Sequence, residues 1–247
     1  MITFQDEITV RVNKNKTDLN LQKSAQKFIE ASTSPKYSYN FLWLGRPIIQ
    51  YPQDIVAMQE IIWEIKPDLM IETGIAHGGS LIFYASLLEL NAICGGPQDA
   101  EVLGIDIDIR PHNREAIESH PMMKRISMIE GSSISSSVIE QVKETARTKK
   151  NILVCLDSNH THDHVLQELE AYAPLTSMGS YCVVFDTIIE HLPLNSYPDR
   201  PWNRGNNPKS AAIEYLKKHP EFESNDEIDN KLLISVAPGG YLKRIKR

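Results

Sequence analysis

From Leu69 to Asp186 the sequence alternates short, almost unbroken apolar runs with stretches whose apolar residues recur at helical spacing. The runs LMIET (69–73), NILVCLD (151–157) and SYCVVFD (180–186) show no alternation of polar and apolar residues, which is the pattern of strands covered on both faces. Parallel strands need long crossovers, and helices are the usual crossovers. The alternation therefore predicts a parallel sheet with helices on both faces and right-handed connections.

Further strands are expected over Val102–Ile107 and Ile126–Ile129, and helices over Asp54–Glu64, Ser80–Leu90, Arg114–Ser119, Ser133–Thr148, Val165–Tyr172 and Ala211–Lys218. LLISVAP (232–238) and GGYLKRIK (239–246) read as an antiparallel pair turned at Gly239-Gly240. Residues 1–20 are polar and suggest little regular structure. A short amphipathic helix over Leu21–Ala31 ends at Ser34-Pro35, and the aromatic segment 37–51 reads as a loop. These readings divide the chain into an N-terminal extension, 1–36, and an α/β domain, 37–247. The connection from Ile189 to Pro208 exceeds ordinary loop length and suits a lid.

A net charge of −6 argues against a broad surface for nucleic acid or anionic membrane. No apolar run approaches membrane-spanning length, and the first residues lack the apolar core of a signal peptide. Cys94, Cys155 and Cys182 have no metal-ligand spacing and read as free thiols in a reducing, cytoplasmic setting.

The densest chemical signal is Glu72-Thr73-Gly74-Ile75-Ala76-His77-Gly78-Gly79-Ser80, which leaves the first apolar strand and enters a helix. Glycines there let the backbone turn sharply and approach a ligand, and the helix start offers free N–H groups. The spacing fits neither a dinucleotide fingerprint nor a phosphate-binding P-loop. The strand-end Glu72 suits the ammonium of an amino-acid head. A purely structural strand-to-helix turn capped by Ser80 would also explain these residues. The next strand ends in GIDID, placing Asp106, or Asp108, where a nucleoside presents its ribose hydroxyls. IEGSS then puts Ser132 or Ser133 beside a base ring.

The fourth and fifth strands end in Asp157 and Asp186. Two carboxylates on adjacent strand ends suit a divalent cation such as Mg²⁺, although each could instead cap its strand. His160 follows Asp157 by three residues and is the candidate general base. The neighbouring His162 and His164 read as polar residues of a helix start that point to solvent. The cluster lacks HExxH and the spacing of an iron facial triad.

With these residues in place, the chain resembles the cephalosporin hydroxylase/rhamnosyl O-methyltransferase family, from about Phe41 to the C-terminus. WLGRPIIQYPQD, ETGIAHGGS, GIDIDIRPHN, IEGSS, LDSNHTHDHV, VVFDT and APGGYLKR carry the resemblance. It implies a Rossmann-like seven-stranded methyltransferase sheet with a small N-terminal helical addition, bound S-adenosylmethionine, and Mg²⁺. By the family pattern Glu72, Gly74, Ser80, Asp106 and Ser132 line the cofactor, with His77, Gly78 and Asp157 as further contacts. Asp157 and Asp186 hold the metal. The chain departs from the pattern at Phe185, where relatives often have an acidic residue, and at Asn159, where they often have Asp. A missing carboxylate would weaken the metal site or shift a ligand to Thr187 or to water.

The expected activity is transfer of a methyl group to a hydroxyl of a sugar, glycan or natural product, with His160 as base and Asp157 beside it. Two rival readings are an iron/2-oxoglutarate hydroxylase of a secondary metabolite and a non-catalytic nucleoside-binding module. Tyr37, Tyr39, Trp43, Tyr197 and Trp202 suit sugar stacking and equally suit packing in the core or a subunit interface, which would make the protein a homo-oligomer.

Overall fold

The computed structural model describes residues 2–194 and 196–246. Its centre is a seven-stranded sheet of β3 (Leu69–Thr73), β4 (Glu101–Asp106), β5 (Ile126–Glu130), β6 (Ile152–Leu156), β7 (Tyr181–Val184), β8 (Phe222–Ser224) and β9 (Tyr241–Arg244), in the order β5-β4-β3-β6-β7-β9-β8. The first five strands pair in parallel, and β9 runs antiparallel to both neighbours. Side chains of β3, β6 and β7 are buried throughout, as their unbroken apolar runs require.

Two cores flank the sheet. On one face pack α2 (Leu19–Thr33), α3 (Pro52–Ile65), α4 (Gly79–Ile93) and α5 (Pro111–Glu118), through residues such as Ile29, Met58, Leu81 and Ile117. On the other pack α6 (Ser136–Ala146), α7 (His162–Tyr172) and α8 (Pro208–Lys218), through Val142, Leu169 and Tyr215. Strand order reverses between β3 and β6, so the loops leaving these strands diverge and open a crevice at their C-terminal ends.

Three expectations change. Residues Phe4–Thr17 form a helix, α1, where the sequence suggests little structure. None of its residues is buried. Its determinants are a reciprocal capping box between Thr3 and Asp6, with acidic residues in its first turn and Lys14 and Lys16 in its last. Segment 232–238 is not a strand: Asn225 caps α9 (Asp226–Leu232), and irregular chain follows to Pro238. The antiparallel partner of the last strand is instead the three-residue β8, which precedes α9. Finally, the aromatic segment contains a small hairpin, β1 (Phe41–Trp43) with β2 (Arg46–Ile48), turned at Gly45.

Candidate active site

The chain leaving β3 crosses the crevice as the turn Gly74–Gly78 and enters α4. Its glycines are required by protein packing. A Cβ on Gly74 would lie 2.0 Å from the Asp157 carbonyl oxygen, one on Gly79 2.0 Å from that of Pro47, and one on Gly78 2.4 Å from Ile117. The expected close approach is thus to neighbouring backbone and to Ile117, and the turn is wedged between β2 and the loop after β6. Arg46 donates from Nε to the His77 carbonyl at 3.0 Å and also bonds Asn113, whose amide reaches the Ala76 carbonyl at 2.9 Å.

Asp106 closes the truss from below. Its Oδ2 accepts the backbone N–H of Ile75 (2.8 Å) and Ala76 (3.2 Å), and its Oδ1 accepts that of Asp108 (3.1 Å). A carboxylate offers about four acceptor directions, so roughly one remains for a ligand rather than two.

Glu72 points from β3 towards the start of α4, 1 % exposed, and accepts the Ser80 hydroxyl at 2.8 Å. Burial pushes its carboxyl from 4.5 up to about 8, against the Ser80 hydrogen bond and with help from the charge of Asp106. The Glu72 side chain makes no salt bridge among the described residues. It is therefore a site that gains from an incoming ammonium group.

Between these walls lies a cleft of about 260 Å³. Gly74, His77, Ser80, Asp157, His160 and Asp186 line it together. Glu72, Gly78, Asp106 and Ser132 do not: Glu72 lies behind Ser80 and Gly78 against Ile117, while Asp106 and Ser132 sit partly exposed along the ends of β4 and β5.

At the bottom of the cleft Asp157, His160 and Asp186 each bring one potential ligand atom within 4.8 Å of the other two. His160 Nε2 is 3.1 Å from Asp186 Oδ2. The Asp157 carboxyl is raised well above the ordinary range by burial first and then by the charges of Asp186 and Glu72. Asp186 has a left-handed backbone, φ 55°. Such a conformation is uncommon outside glycine and costs roughly 1–2 kcal/mol.

The residues in doubt from the sequence find other partners. Phe185 is 1 % exposed and packs in the core beside α3 and α4, so it takes no space in the cleft. Asn159 accepts the N–H and hydroxyl of Thr161, an Asx turn ahead of α7. Thr187 is buried and donates to the Pro238 carbonyl at 3.0 Å, which removes it as a substitute ligand.

His162 and His164 are not solvent-pointing. His162 Nδ1 meets Ser210 at 2.8 Å and its Nε2 meets Glu214 at 3.3 Å, joining α7 to α8. His164 turns inward to Ser133 and Ser158. From the chain after Asp186, Ile188, Leu192 and Tyr197 also line the cleft, and Arg204 bonds the Leu192 carbonyl while Gly205 N–H bonds Glu190. Trp202 from this segment packs edge-on against the His160 ring at 4.8 Å.

Sequence reasoning missed the contribution of the N-terminal region. Ile29, Ser32 and Thr33 of α2 line the cleft, and Ser32 bonds the Tyr51 hydroxyl at 2.6 Å. The only available signal was the amphipathic face that buries Ile29.

Comparison with known proteins shows the family and the fold. The family described as Rhamnosyl O-methyltransferase/CmcI matches residues 35–245. The Rhamnosyl O-methyltransferase of Mycobacterium tuberculosis (strain H37Rv) is 31% identical over 218 residues, covering 84% of this chain and 82% of its own. That of Mycobacterium leprae is 30% identical over 207 residues, covering 82% of each. A solved CmcI structure with Mg-SAM superposes with a TM-score of 0.59 at 20% identity, covering 84% of this chain and 78% of that one. An O-methyltransferase from Bacillus cereus in complex with SAH gives a TM-score of 0.52 at 12% identity, covering 82% of each chain. These two share the fold.

Proposed function

Because the chain belongs to the Rhamnosyl O-methyltransferase/CmcI family, we propose that it transfers a methyl group from S-adenosylmethionine to a hydroxyl of a sugar, glycan or natural product. In this reading Asp157 and Asp186 hold Mg²⁺, and residues 37–247 are the methyltransferase domain, to which 1–36 adds one wall of the acceptor cleft. The observation that carries the reading is the convergence of Asp157, His160 and Asp186 within 4.8 Å at the switch point of the sheet.

The donor set fits the metal. A buried carboxyl whose charge is disfavoured by burial and by a neighbouring carboxylate, as Asp157 is, gains from a cation beside it, and Mg²⁺ accepts one or two carboxylates with water and substrate oxygens. The cofactor supplies an activated methyl group, and the metal supplies charge that lowers the pKa of an acceptor hydroxyl. The Glu72 carboxylate, backed by Ser80, receives the ammonium of the cofactor's amino-acid end. Asp106 keeps one acceptor direction for a ribose hydroxyl, beside Ser132 on the open shelf.

His160 is the base. If its Nε2–H donates to Asp186, the imidazole keeps a lone pair on Nδ1 that can take the acceptor's proton. Trp202 shields the ring from water, which strengthens each charge interaction in the cleft. The hydroxylase reading is disfavoured by the donors themselves. One histidine and two carboxylates converge, whereas a facial triad takes two histidines and one carboxylate.

The test is methyl transfer from radiolabelled S-adenosylmethionine to rhamnose-bearing acceptors, with Mg²⁺ and after chelation. Transfer that stops in chelator and returns with Mg²⁺ supports the reading. Full transfer in chelator removes the metal role, and an absence of S-adenosylhomocysteine binding by calorimetry removes the cofactor.

A further inference from the structure

One face of α7 carries a polar stripe, the half-buried His164 and the buried Glu168 and Tyr172, that plays no part in the chemistry above. Glu168 is fully buried, and its Oε2 has no hydrogen-bond partner among the described residues. Its Oε1 accepts the Ser158 hydroxyl at 2.6 Å. His164 Nε2 lies 3.1 Å from Ser133 Oγ, 3.2 Å from Ser158 Oγ and 3.5 Å from Glu168 Oε1. Tyr172 donates its hydroxyl to the Ser133 carbonyl.

Counting protons fixes the direction of these bonds. Ser158 has a single hydroxyl proton, and Glu168 takes it. Ser158 Oγ can then only accept from His164, so Nε2 carries a proton and is the donor of the group. The two serines belong to different loops. Ser133 follows β5 and adjoins Ser132, and Ser158 follows β6, adjoins Asp157 and lines the cleft. A carboxylate buried with one oxygen unpartnered is a poor device for stability, since an apolar residue of similar shape often serves as well. Its value lies in fixing geometry.

We propose that His164, oriented by Glu168, is a positioning residue that ties the loop after β5 to the loop after β6 and so sets the cofactor shelf against the metal-binding end of the cleft. The inference rests on the cofactor reading above. It assigns to α7 the task of holding the ends of β5 and β6 in register across the two strands, β4 and β3, that lie between them.

The experiment compares His164→Gln with His164→Met, measuring S-adenosylhomocysteine affinity by calorimetry and the melting temperature of each. Gln offers an N–H close to the position of Nε2, and Met fills the space without one. The Gln variant should stay within about threefold of wild type, and the Met variant should bind roughly tenfold more weakly, the worth of one hydrogen bond to a charged network. Their melting temperatures should agree, because a packing role would not separate them. Equal affinities for the two variants would overturn the inference. If neither variant folds, Ser133→Ala combined with Ser158→Ala removes the same links from the loop side, and unchanged affinity there overturns it equally. A wild type that fails to bind S-adenosylhomocysteine overturns the cofactor reading and this inference with it. Wild-type binding with indistinguishable variants overturns this inference alone.

Discussion

Glu72→Gln should stabilise the protein without ligand while weakening the cofactor. Glu72 is 1 % exposed, and its carboxyl rises from 4.5 to about 8. A raised folded pKa means that the stability attached to this group is fully present below pH 4.5 and is lost as pH rises through about 8. At pH 7 the folded protein must hold a proton that the unfolded chain has released. That costs about 1.4 kcal/mol for each of the 2.5 units between 4.5 and 7, or roughly 3 kcal/mol. Gln has the same shape and is always neutral, so at pH 7 the variant recovers much of this cost. For a chain of this size that is a rise in Tm of roughly 6–12 °C. At pH 5 the gain should fall below about 1 kcal/mol. Urea unfolding at both pH values measures it, and calorimetry on the same samples should show weaker S-adenosylhomocysteine binding. A gain that is equal at pH 5 and pH 7, or a loss at pH 7, would refute the reasoning that desolvation governs this carboxyl.

Four further outcomes follow from the same geometry. Asp157→Asn should raise the stability of the metal-free protein, because burial and Asp186 already disfavour its charge, while methyl transfer falls to background in a radiolabel assay. Asp54, buried and bonded to Ser235, Val236 and Tyr241, is raised from 3.8 to about 6. Its contribution is present below pH 3.8 and lost as pH rises through about 6, so the stability of wild type relative to Asp54→Asn should drop by roughly 3 kcal/mol from pH 3.5 to pH 7 in urea titrations. Gly74→Ala should lose more than about 2 kcal/mol by thermal melting, because its Cβ would lie 2.0 Å from the Asp157 carbonyl at φ +91°. His160→Ala should lower kcat by roughly 10²–10⁴-fold in the radiolabel assay, with S-adenosylhomocysteine affinity unchanged by calorimetry.

The parts legible in the sequence are those that burial dictates. β3, β6 and β7 announce themselves because a strand covered on both faces admits few polar residues, and the carboxylates that end β6 and β7 follow by position. Helix α1 was illegible because nothing in it is buried, so no apolar period marks it and its caps alone define it. The strand misread at 232–238 failed for the opposite reason. Its apolar residues are partly or fully buried, but the three-residue β8 takes the place beside β9, and so short a segment carries no period. Within the site, the convergence of Asp157, His160 and Asp186 was expected from their positions. The inward turn of His164 was not, because its partners Ser133 and Ser158 come from separate strands and only the sheet order brings them together. Gly74 and Gly79 illustrate the same limit. Their need for a missing Cβ is plain in the motif, but the atoms that demand it belong to Asp157 and Pro47.

In the proposed function, the cleft at the β3–β6 switch point holds a metal between Asp157 and Asp186 next to a nucleoside cofactor anchored on Glu72. Crystals soaked with S-adenosylhomocysteine and Mn²⁺, with data collected for manganese anomalous scattering, test it most directly. One anomalous peak is expected between the Asp157 and Asp186 carboxylates, with the amino-acid end of the ligand directed towards Glu72 and Ser80. Ligand bound with no anomalous peak at these carboxylates, or a peak at any other cluster, would contradict it.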